Sequence, residues 1–262
     1  MNIKEIIEKY KIKPDLVKDQ HFLCNEKIIK EIVKELKVND NDIILEIGPG
    51  FGAITREIPD CKKIIAIEID GNLAKILKKE IKKNNLKIID ENALKIIDEI
   101  KFTKLISALP YSICEPLFYN LFTLKFETAV LIVPISFYEK MKEKSNKLGL
   151  FANAFLEIND MMKIGRDNFY PIPKVDSVAL KIAKKEGNFL LREFFLQRDK
   201  RVKNAIISIL IKHMSKTKRE AKSLLKELAL SRELENRLFA TVSYQELYKL
   251  EAILKLLLKK SK

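Results

Sequence analysis

Residues 43–55, Ile-Ile-Leu-Glu-Ile-Gly-Pro-Gly-Phe-Gly-Ala-Ile-Thr, constrain the fold of this chain more than any other stretch. A short run of β-branched and apolar residues carries one acid, Glu46, and stops at Gly48, which reads as a buried strand. Gly48, Gly50 and Gly52 then alternate with Pro49 and Phe51, and helical spacing starts at Ala53. The unit is therefore strand, tight turn, helix start. Glycines in such a turn let the backbone approach a nucleotide-like ligand and take angles that a Cβ forbids. A glycine-rich turn with no ligand carries the same local signature.

The flanking sequence repeats that rhythm. Helical patterns cover residues 3–10 and Glu26–Leu36, followed by the polar loop Asn39-Asp40-Asn41-Asp42. Apolar strands are expected at 64–69, 86–90, 104–107 and 129–134, with helices at 73–82 and 115–122 between them. Strands alternating with helices predict a doubly wound, mainly parallel sheet. The fourth strand stops before Pro110, which has no N–H for a ladder. Residues 161–164 and 175–183 flank Phe169-Tyr170-Pro171-Ile172-Pro173-Lys174 and predict an antiparallel pair joined by a rigid proline loop, which brings the sheet to seven strands. From 189 to 258 only helical spacing remains, for example Leu224, Leu225 and Leu228 among charges. The expected fold is α/β, with a mainly parallel seven-stranded sheet in residues 1–186 and a small all-helical domain in 187–262.

Charge is distributed unevenly over these two parts. The chain has 262 residues, 47% apolar, and a formal charge of +14. Residues 187–262 hold 18 Lys+Arg against 8 Asp+Glu, so most of the excess lies in the helical part. A basic domain beside a nearly neutral one favours a polyanionic partner. Cys24, Cys61 and Cys114 are far apart and there are two histidines, His21 and His213, so neither a metal site nor a disulfide framework is expected. Residues 1–10 are charged every few positions, and no apolar run approaches the roughly 20 residues that span a bilayer. A soluble, cytoplasmic protein without membrane association is expected.

In an open α/β sheet, ligands bind beyond the carboxyl ends of the strands. Glu68 ends the second strand about 20 residues after the glycines, the place from which a carboxylate accepts hydrogen bonds from two ribose hydroxyls. Dinucleotide oxidoreductases need Gly-x-Gly-x-x-Gly, whereas the third glycine here is Gly52. Glu46 would also repel a pyrophosphate but suits a cationic ligand such as S-adenosylmethionine. The methyl donor is the favoured cofactor, with NAD(P) the weaker alternative.

Several segments together carry a family resemblance: Gln20-His21-Phe22-Leu23, Glu46-Ile47-Gly48-Pro49-Gly50-Phe51-Gly52, Glu68-Ile69-Asp70, Leu109-Pro110-Tyr111, Phe169 to Ser177, and Gln197-Arg198-Asp199-Lys200-Arg201-Val202-Lys203-Asn204-Ala205. In this order the chain resembles the ribosomal RNA adenine N6-dimethyltransferases over about residues 19–205. The resemblance implies a Rossmann-like methyltransferase domain that uses S-adenosylmethionine and acts on adenine in rRNA, most often that of the small ribosomal subunit, although related large-subunit enzymes share most of these motifs; a monomer is expected. It implies that Gln20 and Leu23 close over the donor, that Glu46, Gly48 and Gly50 hold its methionine end, and that Asn92 meets its adenine edge. It further implies that Tyr111 and Phe169 sandwich a flipped acceptor base, and that Arg198, Lys200, Arg201 and Lys203 contact RNA. Were that basic segment helical, Lys200, Lys203 and Asn204 would share a face.

The motif before Tyr111 departs from the family pattern. Its usual Asn, which stands among both the donor and the acceptor groups, is Ala108 here, leaving the carbonyl of Leu109 and the rigid Pro110. The usual Gly before Gln20 is Asp19, and the usual Asp before Ala93-Leu94 is Asn92. Ser107 and Ser112 are candidates to supply the missing acceptor. Two readings follow: a methyltransferase of rRNA maturation, or a family member that has lost catalysis and binds RNA as an assembly factor.

Overall fold

A computed structural model describes residues 3–15, 19–143, 145–186 and 189–259. The chain divides into two compact units, Met1–Lys142 with Leu156–Lys185, and Glu143–Phe155 with Glu186–Lys262. The segment Glu143–Phe155 therefore lies in the helical unit, not in the sheet unit where the 1–186 expectation places it.

In the first unit the helices are α1 Ile3–Tyr10, α2 Glu26–Glu35, α3 Ala53–Glu57, α4 Gly71–Glu80, α5 Ala93–Ile96, α6 Cys114–Leu121 and α7 Ile135–Lys142. The strands are β1 Phe22–Leu23, β2 Ile43–Ile47, β3 Lys63–Glu68, β4 Leu86–Asp90, β5 Lys104–Ala108, β6 Thr128–Pro134, β7 Leu156–Ile164, β8 Phe169–Tyr170 and β9 Ser177–Lys184. Seven of them form one sheet in the order β4-β3-β2-β5-β6-β9-β7. Pairings from β4 to β6 are parallel, and β9 is antiparallel to both β6 and β7. Strand order reverses between β2 and β5, the switch point where ligands of such sheets bind.

Burial follows from that topology. Ile44, Leu45, Ile64, Ile67, Leu105, Ile106 and Val130 are all buried, because helices cover both faces of a parallel sheet. Two features of the strands are absent from the sequence reading. Strand β7 starts at Leu156, five residues earlier than expected, since exposed Glu157 and Asp160 and a bulge between Asp160 and Met162 mark it as a sheet edge and hide its alternation. The two-residue strands β1 and β8 pair with each other, Phe22 opposite Tyr170 and Leu23 opposite Phe169, and no local pattern announces so short a contact.

The second unit contains α8 Lys147–Phe155, α9 Phe189–Leu196, α10 Val202–Met214, α11 Lys218–Glu227, α12 Arg232–Asn236 and α13 Tyr244–Lys259. Helix α8 is buried on nearly all sides, with Phe151 and Phe155 edge-on to Phe195 of α9 at 5.2 and 5.4 Å. Phe194 meets Phe239 at 4.9 Å. A capping box, Thr217 with Glu220, starts α11. Among the described residues no helix is long and apolar enough to cross a membrane.

Candidate active site

The strand ends β2, β3, β4 and β5 open onto one cavity of about 370 Å³ in the first unit. That size lies within the range of about 300–1,000 Å³ common for small-molecule sites. Its floor is the glycine turn. Gly48, Gly50 and Gly52 take φ of +64°, +56° and +82°, conformations that L side chains rarely adopt. A Cβ on Gly50 would lie 2.9 Å from the ring of Phe22, and one on Gly52 would lie 2.5 Å from Leu77. The turn is thus compressed between β1 and α4, and Gly48 N–H is fixed by the Ile67 carbonyl at 2.9 Å.

Glu68 stands at the end of β3, is 5% exposed, and lines the cavity. Its Oε2 accepts from Gly50 N–H and its Oε1 from Asp70 N–H, both at 3.0 Å. Burial raises its pKa, and these two backbone donors oppose the rise. Four lone-pair positions on a carboxylate leave room for further donors from a ligand. Gln20 is held at both ends of its amide: Oε1 accepts from Asp15 N–H at 2.8 Å, and Nε2 donates to Asp70 at 3.1 Å. Asn92 caps α5 by accepting Leu94 N–H at 2.9 Å, and the second lone pair of its amide oxygen can still serve a ligand.

Tyr111 and Phe169 both line the cavity, as do Gly48, Gly50, Ala108, Leu109 and Pro110. The Tyr111 hydroxyl lies 3.4 Å from both the Val175 carbonyl and Ser177 Oγ, and burial pushes its pKa up. Pairing of β1 with β8 brings Phe169 to this wall from far along the chain.

Two residues expected to touch a ligand do not line the cavity. Leu23 is 3% exposed and packs in the core with Ile29, Ile32 and Ile164, because successive strand residues point to opposite faces and Phe22 takes the cavity side. Glu46 is 1% exposed and accepts from Thr55 Oγ1 of α3 at 2.6 Å. Burial drives its pKa up to about 7, with repulsion from Glu68 adding to the rise and the Thr55 bond opposing it. Glu46 thus braces the glycine turn from behind.

The candidate acceptors separate clearly. Ser107 is buried and its hydroxyl donates to the Ile47 carbonyl, tying β5 to β2. Ser112 is exposed and lines the cavity, and its N–H donates to Asp19 Oδ2 at 3.0 Å. Asp19 has φ +53°, a conformation glycine takes freely and Asp tolerates. Asp19, His21, Phe22, Ile69, Leu73 and Ser177 also line the cavity although sequence reasoning assigned them no role. The adjacency of Asp19, His21 and Phe22 to Gln20, and of Ile69 to Glu68, was the available signal.

In the second unit, the basic segment is not helical before Val202. Backbone bonds pair it with residues 237–240, including Phe239 N–H to Lys200 O at 2.8 Å and Val202 N–H to Arg237 O at 2.9 Å. Arg198 lies over the Phe195 ring at 4.3 Å, and Lys203 Nζ donates to Asn236 at 2.7 Å. Lys200 Nζ donates to Ser208 at 3.3 Å, and Arg201 is exposed at the N-cap of α10. Lys200, Lys203 and Asn204 therefore do not form one helical face.

A glycine turn at the switch point, a buried carboxylate on the next strand and aromatics facing the same cavity are the arrangement of a Rossmann-like methyltransferase. The sequence model described as ribosomal RNA adenine dimethylase matches residues 11–244. A probable ribosomal RNA small subunit methyltransferase A of Pyrococcus abyssi is 33% identical over 194 residues, covering 72% of each chain. One of the same description from Methanococcoides burtonii is 33% identical over 221 residues, covering 78% of this chain and 82% of its own. Among solved structures, a dimethyladenosine transferase from Plasmodium falciparum superposes with a TM-score of 0.62 at 26% identity, covering 92% of this chain and 98% of that one. The 23S rRNA methyltransferase ErmE shares the fold, with a TM-score of 0.57 at 18% identity over 88% of this chain and 98% of its own. The chain belongs to the ribosomal RNA adenine dimethylase family.

Proposed function

We propose that this enzyme transfers methyl groups from S-adenosylmethionine to N6 of adenine in small-subunit rRNA during ribosome maturation. The carrying observation is the cavity itself: Glu68, Gly48 and Gly50 line it together with Ala108 to Tyr111 and Phe169. The residues fit such a donor. Gly48 and Gly50 leave the floor open where side chains would fill it, Glu68 suits a ribose, and Asn92 with apolar Ile69 and Leu73 suits the edge and faces of an adenine. Glu46 supports the turn that meets the methionine end, and Gln20 holds the β1 approach to Asp70. When bound, the donor supplies an electrophilic methyl on a sulfonium.

The chain's own task is to hold and aim the acceptor. An exocyclic adenine amine is a weak nucleophile because its lone pair is delocalised into the ring, so hydrogen-bond acceptors for its N–H groups must orient that lone pair. The Leu109 carbonyl supplies one acceptor. Ser112 supplies the second in place of the family's Asn, since Ser107 is committed to Ile47. Tyr111 and Phe169 stack on the flipped base. No strong base is required, because the methylated cation releases its proton readily. Family membership favours this reading over a binding factor without catalysis and over an NAD(P) oxidoreductase. The basic helical unit provides the contact with rRNA, and the protein acts as a cytoplasmic monomer.

Labelled S-adenosylmethionine and under-methylated small ribosomal subunits test the proposal. Label is expected in adenine N6 with the unmodified protein and not with Glu68→Ala. Absence of adenine labelling by the unmodified protein, with donor binding intact, would overturn it.

A further inference from the structure

Helix α11 separates its side chains by chemistry. At about 100° per residue, Lys218, Arg219, Lys222 and Lys226 fall within an arc of about 100°. Glu220 and Glu227 lie on the opposite side, and Ala221 and Leu225 are buried on the third. All four basic residues are exposed. Among the described residues none of the four has an ion-pair partner, whereas Lys212, Arg237 and Lys255 of the same unit are each paired with an acid. Glu220 is held by Thr217 in the capping box, on the side of the helix away from the stripe.

We propose that this face of α11 binds the phosphate backbone of folded rRNA, a contact that rests on the rRNA reading above and is separate from residues 198–203. The case is charge complementarity combined with availability. Arg198, Lys200 and Lys203 already make contacts within the protein, while the α11 cations extend into solvent along about 12 Å of helix axis. Such a stripe follows a phosphate chain without reading bases, which suits recognition of RNA by shape. Folded RNA is favoured over an anionic membrane because the face carries no apolar residue to enter a bilayer.

The test measures affinity for under-methylated small-subunit rRNA across a salt series. The unmodified protein is compared with a variant combining Lys218→Gln, Arg219→Gln, Lys222→Gln and Lys226→Gln, and with one combining Lys218→Arg, Lys222→Arg and Lys226→Arg. The Gln variant is expected to lose about 3 from the slope of log affinity against log salt, at roughly 0.7–0.9 per phosphate contact. The Arg variant is expected to keep the slope, and both are expected to bind S-adenosylmethionine as the unmodified protein does. If the unmodified protein binds with a steep salt dependence and the Gln variant matches it, the α11 proposal is overturned alone. If the unmodified protein has no salt-dependent affinity for rRNA, the functional reading fails and this contact with it. Loss of phosphatidylserine-vesicle binding, with rRNA binding intact in the Gln variant, would also overturn it.

Discussion

Glu68 Oε2 accepts the Gly50 N–H at 3.0 Å, so the carboxylate that faces the cavity also fixes the turn that forms its floor. One side chain therefore couples the shape of the site to its polarity. Glu68→Gln keeps the volume but places an amide where a doubly accepting carboxylate stood. Hydrogen bonds to a charged acceptor contribute about 1.5–3 kcal/mol each, so donor affinity is expected to fall about 10- to 100-fold. Titration calorimetry with S-adenosylmethionine measures this, and unchanged affinity would remove Glu68 from the site.

Glu46 sets a pH dependence. Its folded pKa of about 7 lies above the ordinary carboxylate value, so the folded state binds its proton more tightly than the unfolded chain does. Its contribution is fully present at acidic pH below the unfolded pKa and is lost as pH rises towards about 7. Glu46→Gln is expected to be more stable than the unmodified protein at pH values above that range, by about 3 kcal/mol. The difference should vanish in acid. Urea denaturation at a series of pH values reads both limits, and parallel curves for the two proteins would contradict the assignment.

Ala108 and Ser112 separate two ways of orienting the acceptor amine. Losing one preorganised hydrogen-bond partner costs about 3 kcal/mol, roughly 100-fold in rate. Ser112→Ala is expected to lower kcat towards that extent, and Ala108→Asn in the Ser112→Ala background to restore it. Ser107→Ala is expected to act on stability and leave kcat unchanged, because its hydroxyl is bound to Ile47. A kcat that ignores Ser112→Ala would mean that Leu109 suffices.

Lys104 and Asp42 form a buried pair at the opposite end of the sheet, 2.6 Å apart, with Lys104 Nζ also donating to the Lys37 carbonyl at 2.7 Å. Lys104→Met leaves Asp42 without its cation in a buried setting, and a loss of about 3–5 kcal/mol in unfolding free energy is expected. Adding Asp42→Asn should recover part of it. Donor affinity should be unaffected in either variant that remains folded, which calorimetry alongside denaturation would check.

The sequence by itself determined the sheet and the strand ends at which its cavity opens. Ile43–Ile47 and Glu68 lie on adjacent parallel strands with the three glycines in the turn that follows the first, and their local pattern is enough because a buried strand, a positive-φ turn and a following helix are each specified by nearby residues. The tertiary structure alone decided what each side chain touches. Leu23 and Glu46 face away from the cavity because strand alternation and Thr55 of α3 set their direction. Phe169 reaches the cavity only through the pairing of β1 with β8. Lys147–Phe155 joins the helical unit because Phe151 and Phe155 find Phe195, and the basic segment 198–201 is turn and bridge rather than helix because residues 237–240 bond to its backbone. Each of these outcomes depends on a partner distant in sequence, whose position is fixed only when the chain has folded.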